Sequence, residues 1–195
     1  MRPVAGPSPL SAEHLAELAA AKVRQKKVLR ATSVATLDAW IMAFLGSISL
    51  MLGVLDLPQL TGALIGLGLC VAAYNSFRGL RMFKRLDPRG PTVLGFNQLF
   101  LASAITLYAA WNIYRCLAHP KAILSELDME ALTQFGITEK TVALWAVIFY
   151  SAVIAATWIT QGLTALYYFS RRKHLDAYIT STPQWIHDLQ RAQQP

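Results

Sequence analysis

The chain has 195 residues and a formal charge of +7, with 54% hydrophobic and only 15% charged residues. The apolar residues gather in four blocks of about 18 to 29 residues that are nearly free of charge. This pattern excludes an ordinary water-soluble domain, which interrupts apolar runs with polar residues every few positions. The basic residues lie beside the ends of these blocks, where cations meet phospholipid headgroups, so we expect no nucleic-acid partner.

About 20 apolar residues in a helix match the roughly 30 Å hydrocarbon core of a bilayer. The sequence therefore predicts an all-α integral membrane protein with four transmembrane helices in two antiparallel hairpins. Short amphipathic helices are expected at the N-terminus, in the outer loop and in the C-terminal tail. The transmembrane domain covers 34–169, with spans at about 34–55, 60–77, 92–114 and 141–169, a cytoplasmic basic turn at 78–91 and an outer amphipathic segment at 115–140.

The N-terminal segment, 1–33, is predicted to be partly helical, because the run after Ser11 is rich in Ala, Leu and charge and lacks Gly and Pro. Ser11 suits the N-cap position. Two interpretations stay open: a solvated helix next to the membrane, or an interfacial helix attracted to anionic lipid. The segment is too long and polar for an ordinary secretory signal, so we expect the first span to be retained.

The C-terminal tail, 170–195, is predicted to carry one last short helix. Thr182 and Pro183 precede this helix, which bears Trp185 and Ile186. A short helix with such apolar residues is expected to lie at the membrane interface.

The distribution of positive charge predicts which side each segment faces. Fifteen Lys and Arg residues lie in 1–33, in 78–91 and in the tail, against three in the two links on the other side. The positive-inside rule then places both termini in the cytoplasm of a cell inner membrane. Anionic headgroups on the cytoplasmic side are the expected lipid partners. The residues predicted to contact them are Lys26, Lys27, Arg30, Arg81, Lys84, Arg85, Arg171, Arg172 and Lys173.

Glycines in the first two spans predict a close helix contact. Gly46 and Gly53 are seven residues apart in the first span, and Gly62 and Gly66 form a small-xxx-small pattern in the second. Small residues on one face let another helix approach closely in lipid. Because the link between these spans is only four residues long, we expect the second span to fold straight back against the first.

Polar residues within spans are the natural place to look for function. They fall mainly in the cytoplasmic leaflet and come from all four predicted helices. One interpretation is hydrogen bonding between helices. The other is a polar cavity, open to the cytoplasm, that binds an ion or a lipid headgroup. The residues of this predicted cluster are Asp38, Asn75, Asn97, Gln98 and Gln161, with Arg78 as a nearby counter-ion.

No sequence motif indicates catalysis. The chain has no nucleophile elbow, zinc-binding helix or phosphate loop, and we name no catalytic residue. None of its four histidines lies within a span, so we expect neither haem nor another cofactor, and no metal.

The sequence therefore favours a non-enzymatic accessory or scaffold subunit of the inner membrane. Its partners would be lipids and either further copies of the chain or another membrane complex. The alternative is a small oligomeric transporter or channel with a polar cavity in the cytoplasmic leaflet. A lipid-modifying membrane enzyme is the third hypothesis, resting on the arginines of 78–91 as phosphate contacts.

Overall fold

The computed structural model describes residues 11–55, 60–118, 138–186 and 188. These ranges contain four long helices and no strand, which confirms the all-α fold class. A short helical stretch over 184–186 follows the last of them. The predicted outer helix falls largely on 119–137, outside the described residues. The helices are α1 (Ala12–Leu55), α2 (Leu60–Lys84), α3 (Arg89–Ala118) and α4 (Glu139–Ser181).

All four described helices are long and apolar enough to cross a membrane. The helices α1 and α4 have 44 and 43 residues, so each is about 65 Å long, more than twice the thickness of the hydrocarbon core. The expected short N-terminal helix is therefore not a separate element, since residues 12–33 form the first half of α1. The reason is local: no Gly or Pro interrupts this run.

Side-chain caps fix the starts of two helices. The backbone N–H of His14 donates to Ser11 Oγ at 3.2 Å, which confirms Ser11 as the N-cap of α1. At the start of α4, the N–H of Thr141 donates to Thr138 Oγ1 at 3.4 Å. Each cap satisfies a backbone N–H that has no partner within its own helix.

Residues 85–88 form a tight turn between α2 and α3. Leu86 has a φ of 60°, and the N–H of Asp87 donates to the carbonyl of Met82 at 2.9 Å. This is the Schellman ending of a helix, in which glycine usually takes the left-handed position. A leucine there costs about 1–2 kcal/mol, and the packing of the Leu86 side chain against the hydrophobic core offsets part of that cost.

The helices pack mainly in neighbouring pairs. The most extensive contacts join α1 to α2 and α3 to α4, and the contact between α2 and α3 is smaller. Gly46 of α1 lies against Cys70 of α2, and Gly53 lies against Ala63. Residue numbers therefore rise along α1 as they fall along α2.

One hydrophobic core cluster joins all four described helices near the turn. We call this end of the bundle the turn end. The opposite end, where an apolar groove lies between α2 and α3, is called the groove end. The cluster includes fully buried Phe83 and Leu94, on either side of the turn, and Tyr168 and Leu175 of α4. The members of the core cluster are Val28, Ala31, Ala35, Leu80, Phe83, Leu94, Tyr168 and Leu175.

The extension of α1 packs against the end of α4 and the short helical stretch after it. We call this pair the stalk and define it as 12–30 and 175–186; it begins at the core cluster, to which Val28 and Leu175 also belong. Arg24 Nη1 donates to the carbonyl of Ser181 at 3.0 Å. Trp185 Nε1 donates to Glu17 Oε2 at 3.1 Å, and its ring meets His14 edge-on at 5.2 Å between centroids. Trp185 thus packs on α1, where both its ring and its N–H find partners. The position of this helix at the membrane interface stays a prediction.

Candidate functional site

The candidate site is a group of buried polar side chains just inside the core cluster. Gln98 Nε2 on α3 donates to Asp38 Oδ2 on α1 at 2.7 Å. The buried Ser76 hydroxyl on α2 lies close to the same carboxylate. Side chains from three helices therefore meet at a single acidic group.

Asn97 extends this arrangement along α2. Its Nδ2 donates to the carbonyl of Ala72 and to Ser76 Oγ, both at 2.9 Å. Because Ser76 Oγ accepts from Asn97, its own proton is available to the nearby Asp38 carboxylate. Asn97 and Ser76 thus extend the polar group along α2, and hydrogen bonds in such a group are stronger in a low-dielectric interior than in water.

Tyr168 brings α4 into the site. Its side chain is fully buried, and its phenol is within electrostatic range of Asp38, although no hydrogen bond joins the two groups. The group now contains a member from each of the four described helices. We define the polar cluster as Asp38, Ser76, Asn97, Gln98 and Tyr168.

Three oxygen atoms of the polar cluster are buried without a hydrogen-bond partner: Asn97 Oδ1, Gln98 Oε1 and the Tyr168 hydroxyl. Gln98 is only 1% exposed. A buried polar atom without a partner costs about 1–3 kcal/mol, so such atoms in native proteins are usually satisfied by water or a ligand. The two amide oxygens can only accept, whereas the Tyr168 hydroxyl can also donate. A water molecule would satisfy all three atoms, and a cation would satisfy the acceptor oxygens.

The charge of the site limits the cation it would accept. The polar cluster contains one carboxylate, and the other oxygens are neutral. Among the described residues, no group of three or more His, Cys, Asp or Glu side chains is placed to hold a metal ion. Divalent and transition metals favour several anionic or imidazole ligands, so a monovalent cation fits this donor set better.

The structure brings together only part of the predicted cluster. Asp38, Asn97 and Gln98 meet as described. Asn75 and Gln161 are half-buried, and among the hydrogen bonds of the described residues none joins them to the polar cluster. Arg78 is exposed, and the structure shows no ion pair between it and Asp38; the Gln98 amide contacts the carboxylate instead.

Ser76 and Tyr168 are the two cluster members that sequence reasoning missed. Ser76 is adjacent to Asn75 and at the same depth, but one residue along a helix is a rotation of about 100°, so the two side chains face different neighbours. Tyr168 has the sequence position of an interfacial aromatic near a span end. For both residues, the sequence indicated the position along the helix axis, but it did not indicate the direction in which the side chain points around that axis.

The predicted headgroup-binding cations surround the core cluster at the turn end, and most are exposed. Arg171 is half-buried, with its guanidinium 4.4 Å from the centre of the Tyr167 ring. Arg172 Nε lies 4.0 Å from Asp176 Oδ2. The side chain of Lys27 lies outside the described part of the structure. The exposed cations are Lys26, Arg30, Arg81, Lys84, Arg85, Arg172 and Lys173.

The predicted packing glycines lie at the contact between α1 and α2. A Cβ on Gly53 would lie 2.0 Å from the backbone N of Ala63, and one on Gly66 would lie 2.3 Å from that of Leu50. No side chain fits at such separations. The remaining two glycines, Gly46 and Gly62, approach Cys70 and Gly53 respectively.

The structure therefore holds a tight contact between α1 and α2, a polar cluster at the junction of four described helices and a two-helix stalk beyond it. None of these features is tied to a known activity by similarity to another protein. No protein-family model, curated protein or solved structure matches the chain.

Proposed function

We propose that this chain is a non-enzymatic, multi-pass protein of a bacterial inner membrane that serves as an accessory or scaffold subunit. The observation that carries the proposal is the stalk. Helices α1 and α4 continue far beyond bilayer length and stay packed on each other through Arg24, Ser181, Glu17 and Trp185. A paired extension of this kind presents a defined surface outside the lipid.

The outward surface of the stalk suits contact with another protein. Leu15 is 55% exposed and Val23 is 69% exposed, although both lie in the part of α1 that extends beyond the core cluster. Lys22 and Lys26 are also exposed and lie on the same side of the helix. A partner with an apolar and acidic surface would complement this face.

The proposed topology has two antiparallel hairpins, α1 with α2 and α3 with α4, and both termini in the cytoplasm. The excess of Lys and Arg at the turn end and along the stalk supports this orientation. Single cysteines at Ser11 and Thr138, in a background without Cys70 and Cys116, would test it. A membrane-impermeant thiol reagent should label Thr138→Cys in intact cells and spare Ser11→Cys, and the reverse pattern would overturn the topology.

Native mass spectrometry of the protein extracted gently from its host membrane tests the scaffold role. We expect a stoichiometric complex with a second membrane protein. The double variant Leu15→Glu/Val23→Glu should lose that partner, whereas Thr180→Glu, an exposed change on α4, should keep it. Recovery of the chain alone, for the wild type as well as the variants, would contradict the scaffold role.

The unpartnered oxygens of the polar cluster favour a second candidate, a small oligomeric transporter or channel. In this role Asp38 would supply the charge and Gln98, Asn97 and Tyr168 the neutral ligands for an alkali cation. Sodium should then raise the melting temperature of the purified protein relative to N-methylglucamine, and Asp38→Asn should abolish the difference. No sodium effect, together with no flux in liposomes, would leave the cluster as a structural hydrogen-bond network.

A further inference from the structure

The groove end carries an apolar groove between α2 and α3. Its volume is about 520 Å³, within the roughly 300–1,000 Å³ range of small-molecule sites. It begins next to the polar cluster, since Leu101 lines it only three residues after Gln98. Among its lining residues are Leu64, Gly68, Leu69, Phe100, Ala104 and Trp111.

The groove exists because its two walls are held by other helices. Gly53 and Gly66 allow α2 to lie directly against α1. Trp158 of α4 donates from Nε1 to Thr106 Oγ1 of α3 at 2.9 Å. With α2 drawn toward α1 and α3 tied to α4, the two separate at this end.

Gly68 deepens the groove at its centre. A Cβ built on Gly68 meets nothing within 4 Å, in contrast to Gly53 and Gly66 on the neighbouring face. Gly68 therefore does not serve packing between the four described helices. Its missing side chain leaves space in the wall of the groove.

We propose that this groove binds one acyl chain of a phospholipid whose phosphate is held by Arg115. Arg115 follows Trp111 by four residues, so it lies on the same face of α3, one turn further from the centre of the bundle. Trp111 and Tyr108 line the groove at that level, where amphipathic rings commonly meet headgroups. A guanidinium above an apolar groove complements a phosphate above an acyl chain.

A phospholipid fits these observations better than a partner helix does. The lining residues are almost all apolar. A partner helix would leave Arg115, one turn beyond Trp111 on α3, without a defined anionic contact. Of the proposed function, this inference requires only that the four helices lie in a membrane. It does not depend on the scaffold role.

The test is native mass spectrometry of the full chain titrated with phosphatidylglycerol and, separately, with a diacylglycerol of the same chains. The wild type should retain one phosphatidylglycerol after detergent washing. Gly68→Leu fills the groove and should weaken retention by about tenfold or more, because several buried methylenes are displaced. Gly162→Leu is the matched control, since a Cβ on Gly162 also meets nothing within 4 Å but lies on α4, away from the groove.

Arg115→Gln tests the headgroup contact separately. It should weaken phosphatidylglycerol retention and leave diacylglycerol retention unchanged. Ala104→Phe provides a second way to fill the groove if Gly68→Leu does not fold, as judged by size-exclusion chromatography and thermal melting.

Three results would overturn the proposal. If the folded groove-filling variants retain as much phosphatidylglycerol as the wild type, the lipid lies elsewhere. Equal loss in Gly162→Leu would indicate only a general lipid shell. A dimer that is lost in Gly68→Leu would show that a second copy of the chain occupies the groove.

Discussion

Helices α2 and α3 meet closely at the turn end and separate at the groove end. At the turn end, a Cβ on Gly90 would lie 2.5 Å from the backbone N of Phe83, and Asn97 binds the carbonyl of Ala72. At the groove end, Leu64 and Phe100 face an open groove. The contrast teaches that apolar character alone does not close helices together in lipid, because lipid tails are as apolar as leucine. Small residues and polar bonds decide where contact occurs.

The two ends therefore suit different roles. The turn end has a continuous core and a buried polar cluster, which fix the relative positions of the four described helices. Exposed cations surround this end. The groove end has two tight pairs and open space between them. In the roles proposed above, the closely packed end organises the stalk and the open end binds lipid.

The largest expected effect comes from the glycines that hold α2 to α1. Gly53→Ala places a methyl group 2.0 Å from the backbone of Ala63, so the helices must move apart at a cost of about 3 kcal/mol or more. Unfolding in mixed micelles with increasing dodecyl sulfate would measure this loss. Gly162→Ala is the control and should be neutral or slightly stabilising, since its Cβ meets open space and alanine favours helix. Equal stability of the two variants would refute the tight contact.

The polar cluster gives the next effect, at the turn end. Gln98→Leu removes the amide that donates to Asp38 and leaves a partly buried carboxylate short of a donor, at a cost of about 2 kcal/mol. Asn112→Leu is the control on the same helix, because within the described ranges the Asn112 amide donates to nothing but the carbonyl of Tyr108 one turn earlier. The same unfolding assay should show little change for Asn112→Leu. A stable Gln98→Leu would mean that Asp38 finds another partner.

The turn itself provides a smaller effect. Asp87 Oδ1 accepts from the N–H of Arg89 at 2.9 Å, so Asp87→Ala should lower the free energy of unfolding by about 1 kcal/mol. Asp87→Asn keeps an oxygen acceptor and should retain most of that stability. If both variants lose the same amount, the charge of Asp87 matters more than its capping bond.

The smallest effect is expected where α3 is tied to α4. Trp158→Phe keeps the ring but removes the N–H that donates to Thr106, and hydrogen bonds between helices in membranes contribute about 0.6 kcal/mol on average. A double-mutant cycle with Thr106→Val would isolate this term. A coupling energy of zero would show that the bond does not hold α3 away from α2.

Prediction from the sequence worked best for properties that depend only on the position of a residue along its helix axis. The apolar blocks indicated four helices long enough to cross a membrane, and within the described residues these helices are present. Asp38, Asn97 and Gln98 were placed at a common depth and lie together in the structure. Ser76 was missed and Asn75 was named instead, because neighbouring residues share a depth and differ in direction.

The stalk shows a second limit. Residues 12–33 and the tail were read as separate short segments, yet α1 includes 12–33 without a break and α4 continues into the tail as far as Ser181. A seven-residue spacing of buried residues is present in both helices and is the signal that would have revealed the pairing. The buried residues with this spacing are Ala21, Val28 and Ala35 on α1, and Tyr168 and Leu175 on α4 followed by Thr182 at its C-cap.

The sequence by itself determined that the described residues form four helices long and apolar enough to cross a membrane, and it determined the position of each polar side chain along those helices. These follow from the length of apolar runs and from the cost of exposing backbone polar groups to lipid. Only the tertiary structure decided that Ser76 and Tyr168 complete the polar cluster, that Trp185 packs on α1 and that α2 and α3 separate at Gly68. Each of these depends on how far a helix is rotated and which neighbour holds it, which nearby residues in the sequence do not encode.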